Sequence, residues 1–221
     1  MKIKLMTALL CSTLFVACNK EDETPTPTTP ADTTAPVITM LGASKDTVVL
    51  NSTYSDPGFT ANDNVDGNIT ANVVVSGALN MNKVGDYTRK YNVSDAAGNA
   101  AVEVTRKIHV RNEAWYLEGS YSANPNCGST PSSVYNTNIA VSTTQNKVFS
   151  FSTLQSNYTG LTPTATLGAS SQFTLTSLSG NGAGFSGSGQ VLTNGNLILS
   201  SYIQQPGVIG GYFCTSTLTP Q

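Results

Sequence analysis

Beyond residue 35 the apolar residues come in short clusters separated by Gly, Asn, Asp, Ser and Thr, and no sustained helical period appears. Val37–Leu41, Asp46–Leu50, Asn72–Ser76, Tyr87–Val93 and Ala101–Val110 each predict a strand. In the last, Val102, Val104, Ile108 and Val110 alternate with polar residues, with a phase that shifts near Thr105 and Arg106. Asp95-Ala96-Ala97-Gly98-Asn99 has the chemistry of a turn, Gly98 being free to adopt positive φ. Strands and turns spaced at roughly ten residues predict a β-sandwich over residues 35–111. From 112 to 221 further strands are predicted at Trp115–Tyr121, Asn138–Ser142, Lys147–Leu154, Gln172–Leu178, Gly187–Thr193, Asn196–Gln204 and Gly211–Leu218. Asn194-Gly195 is a two-residue hairpin signal. Short connections throughout predict an antiparallel meander, closed as a small barrel or packed as a sandwich. The fold class is all-β.

The first residues follow another pattern. Lys2 and Lys4 precede a mostly apolar run, Leu5 to Ala17, of about 13 residues. That is too short for a bilayer core, which needs roughly 20. The run ends in Phe15-Val16-Ala17-Cys18. This resembles the lipobox of bacterial lipoproteins, in which small residues precede a cysteine that takes a diacylglyceryl group before cleavage. The resemblance implies a signal peptide over residues 1–17, lipid on Cys18 and attachment to a membrane. Phe15 stands where that pattern prefers leucine. The other reading is an ordinary secretory peptide, but a cut at an Ala-x-Ala site needs a small residue at Phe15. Asn19 follows the cysteine, and Lys20-Glu21-Asp22-Glu23 resembles the acidic export signal of Bacteroidetes lipoproteins. It implies an outer-membrane protein exposed at the cell surface. Residues 18–34 read as a linker. The Thr/Pro-rich stretch from residue 24 cannot bury apolar area and predicts an extended spacer, reaching roughly 35 Å at about 3.1 Å per residue.

Composition narrows the partners. Charged residues make up 11% of the 221 and the net charge is -2, so no basic stripe exists to grip nucleic acid. Cys11 leaves with the signal and Cys18 takes lipid, which leaves Cys127 and Cys214 as an even pair in an exported chain. A disulfide between them closes a loop of nearly 90 residues, worth about 4 kcal/mol in the chain-entropy model. Two buried thiols are the alternative. No Cys-x-x-Cys spacing suggests zinc or redox chemistry.

A more specific likeness runs through the first domain. Thr34-Ala35-Pro36-Val37-Ile38, Tyr54-Ser55-Asp56-Pro57-Gly58, Asp63-Asn64-Val65-Asp66-Gly67-Asn68-Ile69-Thr70, Val84-Gly85-Asp86-Tyr87 and Ser94-Asp95-Ala96-Ala97-Gly98-Asn99 follow one another in this order. Together they are similar to the bacterial Ig-like domain of surface proteins and some crystal toxins, related to hyalin-repeat modules. The resemblance covers about 75 residues. It implies an immunoglobulin-like sandwich acting as spacer or adhesion module, without catalysis. The second domain matches no family by its motifs.

Candidate chemistry is sparse. The single histidine, His109, has no serine or cysteine motif beside it, and no nucleophile-elbow, zincin or phosphate-loop pattern occurs. Glu118 is the only acid from Trp115 onward, so that domain lacks the facing carboxylates of a glycosidase. No catalytic residue and no enzyme activity are expected. Asp56, Asp63, Asp66 and Asp95 lie in loops, where oxygen ligands hold Ca²⁺ or simply cap turns. The second domain is rich in aromatics: Trp115, Tyr116, Tyr121, Tyr135, Phe149, Phe151, Tyr158, Phe173, Phe185, Tyr202, Tyr212 and Phe213. They suit a platform for sugar rings or, more simply, the core. The glycine-rich Gly180–Gly189 reads as a bend between strands rather than a phosphate loop. The functional expectation is a surface lipoprotein whose C-terminal domain recognises a glycan or another surface protein. The alternative is a small-ligand carrier with a barrel-like C-terminal domain.

Overall fold

Seven strands between Val37 and Arg111 build two sheets. They are β1 (Val37–Met40), β2 (Lys45–Val49), β3 (Phe59–Asp63), β4 (Gly67–Asn68), β5 (Val74–Ser76), β6 (Gly85–Asn92) and β7 (Val104–Arg111). One sheet runs β1-β3-β4; the other runs β2-β7-β6-β5, with β2 parallel to β7. A computed structural model describes residues 30–128, 132–154, 162–180, 183–204 and 211–221. The expected signal peptide, Cys18, the acidic run after it, most of the linker, and Tyr158 lie outside these residues.

The sandwich has two apolar clusters. Ile38, Ala61 and Ile69 from the first sheet and its loops meet Tyr91 and Val93. Leu50, Ile108 and Val110 form the other, with Tyr54, Met81 and Tyr87 against them. The phase shift expected near Thr105 and Arg106 does not occur. Arg106, Ile108 and Val110 all point inward on alternate positions, and Arg106 is fully buried. A charge at a core position had disguised an unbroken strand. The guanidinium is accommodated by backbone and acids: Nη2 donates to Leu41 O (2.6 Å) and Gly58 O (3.1 Å). Asp56 lies 3.6 Å from Nε and Asp46 3.7 Å from Nη1.

Eight strands follow: β8 (Gly119–Asn126), β9 (Tyr135–Val141), β10 (Val148–Phe151), β11 (Thr164–Leu167), β12 (Gln172–Gly180), β13 (Ala183–Val191), β14 (Leu197–Gln204) and β15 (Gly211–Pro220). Each pairs antiparallel with the next, and β15 pairs with β8, closing an up-and-down barrel. Trp115–Leu117 is a 3-10 turn that precedes the barrel, not its first strand. The glycine-rich bend expected from residue 180 to 189 is mostly strand β13. A Cβ on Gly189 would stand 2.2 Å from Phe173 Cζ, so the glycine there admits a ring across the barrel wall rather than a bend.

Alternation sorts the barrel. In β14, Leu197, Leu199, Ser201 and Ile203 face in; Ile198, Ser200 and Gln204 face out. Phe149, Phe151 and Phe173 fill the interior with ring centroids 5.4–6.3 Å apart. Cys127 and Cys214 are disulfide-bonded across 87 residues, next to the β8–β15 seam where the two ends of the meander meet. The outward face is the inverse of a membrane-spanning barrel, which turns apolar residues to lipid. Asn124, Ser188, Ser200, Thr215 and Thr217 stand there, uncharged and exposed.

Sandwich and barrel belong to one compact unit, Thr33–Gln221. Asn112, 1% exposed, joins them. Its Nδ2 donates to the carbonyls of Ser142, Gln145 and Val148 (2.9–3.1 Å), all at the β9–β10 turn. Its Oδ1 accepts from Ala114 N and Lys147 N. Val84 N donates to Thr143 O, and Lys147 pairs with Glu113 at 3.2 Å.

Candidate binding surface

The aromatics of the barrel divide by strand phase. Tyr121, Tyr135, Phe149, Phe151, Phe173 and Phe185 are buried, as a core reading requires. Burial pushes the Tyr135 hydroxyl up to about 12, against a smaller opposing effect of Ser216. Trp115, Tyr116 and Phe213 are exposed, at 51%, 47% and 76%. Trp115 stands edge-on to Tyr116, and the Arg111 guanidinium lies 5.0 Å over its ring, so that pair is already engaged at the domain junction.

Phe213 has no such cover. It follows the outward phase of β15, whose inward positions are Cys214, Ser216 and Leu218. Its register partner Tyr202 is outward on β14, and the two rings sit 5.0 Å apart at 52°. Tyr202 lies across Gly211: a Cβ there would come within 2.6 Å of Tyr202 Cζ and 2.4 Å of Ile203 O. Glycine thus lets the tyrosine ring lie down along the wall beside Phe213. Around the pair, register brings Ser186 beside Tyr202, Ser188 beside Ser200, Ser200 beside Thr215 and Thr215 beside Asn126. Two rings therefore sit in a field of hydroxyls and amides with no charged neighbour in the register. Strand phase alone, read inward from Cys214 and Leu218, could have singled out Phe213 in the sequence.

The interior offers less. An eight-stranded barrel is just wide enough for its own side chains or one small ligand. Here the three phenylalanines, with Leu167, Leu175, Leu199 and Leu218, occupy it. Among the described residues the buried polar side chains of the barrel are Thr137, Ser201 and Ser216, with the Tyr135 hydroxyl donating to Leu154 O.

The four loop aspartates do not converge. Asp63 and Asp95 bring a carboxylate oxygen of each within 4.8 Å. Asp66 reaches the same corner, accepting from Ala96 N at 2.6 Å. Their other bonds are those of turns: Asp63 accepts from Val65 N and Asp66 N, and Asp95 from Asn99 N. Those backbone donors hold the Asp63 carboxyl below its ordinary value. Asp56 is at the other end of β3, committed to the buried arginine. Burial pushes its carboxyl up, but Tyr91, the Gly58 amide, Arg106 and Arg89 outweigh that and leave it below the ordinary range. His109 pairs with Asp86 at 2.7 Å, remote from any nucleophile pattern.

Comparison with known proteins adds the following. Residues 38–110 match the model of a family described as bacterial surface protein, Ig-like domain. The Ig-like sandwich expected from five ordered motifs is thus met. No curated protein sequence matches the chain. Among solved structures, a lipoprotein of Bacteroides thetaiotaomicron is 18% identical over 83% of this chain and 100% of its own, with a TM-score of 0.36. A Bacteroides fragilis protein whose name assigns it to the outer membrane is 12% identical over 76% of this chain and 70% of its own, also at 0.36.

Proposed function

We propose that this chain, which carries an Ig-like domain of the bacterial surface-protein type, is a non-enzymatic lipoprotein of the outer membrane. Lipid on Cys18 holds it, the Ig-like domain spaces it from the membrane, and the barrel recognises neutral glycan at the cell surface. The observation that carries the recognition role is the Tyr202–Phe213 pair, an exposed phenylalanine beside a half-buried tyrosine, on a wall of Ser, Thr, Asn and Gln. Aromatic faces stack on sugar rings, and uncharged hydroxyls and amides match sugar hydroxyls without selecting for charge. The small-ligand carrier draws no comparable support, because phenylalanine rings occupy the middle of the barrel.

Affinity electrophoresis through gels of neutral polysaccharides tests this. Retardation in at least one gel, weakened on the order of tenfold in Phe213→Ala, supports it; a shift of 1.4 kcal/mol corresponds to that factor. Equal mobility of wild type and variant in every gel refutes it. The anchor is tested separately by mass spectrometry of the mature N-terminus, where a diacylglyceryl-modified Cys18 is expected and a free thiol rejects it. Calcium held by Asp63 and Asp95 is a lesser proposal. A chelator should lower the melting temperature of the Ig-like domain, and an unchanged value removes it.

A further inference from the structure

On the outer face of the Ig-like domain, register sets six exposed side chains in two rows of three. Lys45 lies beside Lys107 and Lys107 beside Thr88; two residues along, Thr47 lies beside His109 and His109 beside Asp86. Neighbours within a row are about 4.8 Å apart along the sheet and the rows about 7 Å apart. Together they line an open depression of about 470 Å³. Asp46, between Lys45 and Thr47, also borders the depression, but its carboxylate is engaged elsewhere: it accepts from the Tyr54 hydroxyl at 3.0 Å and lies 3.7 Å from Arg106.

The charges in this grid are unbalanced. Among the described residues, Lys45 and Lys107 make no ion pair, although the flanking Lys90 is paired with Glu103 at 3.0 Å and His109 is hydrogen-bonded to Asp86 at 2.7 Å. Like charges directly opposite one another destabilise a sheet. Neither lysine contributes to the core; protection of the open edge accounts for Lys45 on β2, but not for a second lysine beside it on the inner strand β7. An anion between them would turn the repulsion into binding energy. A carboxylate only accepts, so the His109 Nδ1 facing Asp86 carries the proton, and Asp86 is committed to that bond rather than to a lysine.

The geometry points to an oxyanion site on the β2–β7–β6 face, in which Lys45 and Lys107 hold a sulfate or phosphate ester and the hydroxyls of Thr47 and Thr88 donate to its oxygens. A tetrahedral anion presents several oxygens to two ammonium groups at this spacing, and lysine binds such groups as a point charge. The open shape admits an ester carried on a larger chain. The site is independent of the aromatic wall of the barrel and would give the spacer domain an attachment of its own.

The test is a titration of the ¹⁵N-labelled chain from residue 33 onward, the compact unit, with sodium sulfate and sodium phosphate against sodium chloride at constant ionic strength. Saturable shifts at Lys45, Thr47, Thr88, Lys107 and His109 are expected, with affinity falling on the order of tenfold in Lys45→Ala and in Lys107→Ala. The double variant should lose saturation while its melting temperature in low salt holds or rises. Shifts that chloride reproduces, or that survive in the double variant, overturn the proposal. A double variant that melts earlier, with no saturable shift in the wild type, also overturns it by giving the lysines a structural role. Sulfated dextran and vesicles of phosphatidylglycerol in neutral lipid then separate the sources: the site's carrier is whichever is bound by wild type and not by the double variant. Binding of the inorganic ions alone identifies a free anion as the ligand.

Discussion

Between Lys45 and Arg111 the Ig-like domain carries fourteen charged side chains; between Trp115 and Gln221 the barrel carries two, Glu118 and Lys147. The difference follows from topology. The sandwich ends in open strands, β1 and β4 on one sheet and β2 and β5 on the other. Unpaired backbone at such edges invites strands from other molecules, and charge is a common deterrent. The barrel has no edge, because β15 returns to β8. It can leave its wall neutral, which suits the neutral ligand proposed for it. The interiors differ as well. The sandwich buries a charged Arg106 among two acids and two tyrosines, whereas the barrel relies on phenylalanine packing and one covalent bond.

That contrast is open to attack one domain at a time. The largest effect should come from Cys214→Ser, which opens a closure of 87 residues and costs the barrel about 4 kcal/mol. Calorimetry should show the barrel transition falling while the Ig-like transition holds; equal shifts in both would reject independent stabilisation. Asp56→Ala is the converse. It strips a partner from a buried guanidinium and should cost the Ig-like domain about 3 kcal/mol, leaving the barrel's denaturant midpoint unchanged. Asn112→Ala removes five hydrogen bonds at the junction and should cost about 2 kcal/mol, separating the two transitions further on the temperature axis.

The pH responses should be smaller, and it is in acid that they separate the domains, since both hold tyrosines raised by burial. The Asp56 carboxyl is lower in the folded state than its ordinary 3.8, so its contribution is present above that value and is lost as pH falls below it. Melting scans between pH 5 and 2 should move the Ig-like transition more than that of the barrel, where Glu118 is the only acidic side chain. In alkali the barrel responds through Tyr135. Its folded value of about 12 lies above the ordinary 10, so stability is intact below pH 10 and declines as pH rises toward 12. Absorbance at the tyrosinate band should show several phenols titrating late, Tyr54 of the Ig-like domain among them, held up to about 12 by burial and by Asp46. Tyr135→Phe should shrink that late phase by one phenol, and an undiminished amplitude rejects the assignment.

Much of this was legible in the chain. Period-two alternation in Leu197–Gln204 and Gly211–Leu218 marks β14 and β15 because their inward residues are apolar or small and their outward ones mainly polar. The cysteine pair follows from parity once the first residues are read as an export signal. Other features resisted. β3, Phe-Thr-Ala-Asn-Asp, has a single fully buried residue, Ala61, and ends in turn formers, so no alternation announces it. β11 is short and turns only Ala165 and Leu167 inward. Arg106 broke the apparent phase of β7 because its partners, Asp46 and Asp56, are far away in sequence. Barrel and sandwich could not be separated, since closure rests on pairing of Asn126 with Thr215, a contact between the two ends of the domain. The aromatic pair was visible as residues but not as a surface, because two outward phases must be combined across one hairpin.

The most direct test of recognition on the neutral wall is a ¹H–¹⁵N correlation spectrum titrated with a neutral oligosaccharide that retards the protein in a gel. The account predicts shifts concentrated at Ser186, Ser200, Tyr202, Phe213 and Thr215, on the outside of β13, β14 and β15. Shifts centred instead on Phe149, Phe151 and Phe173 would place the ligand inside the barrel and contradict it.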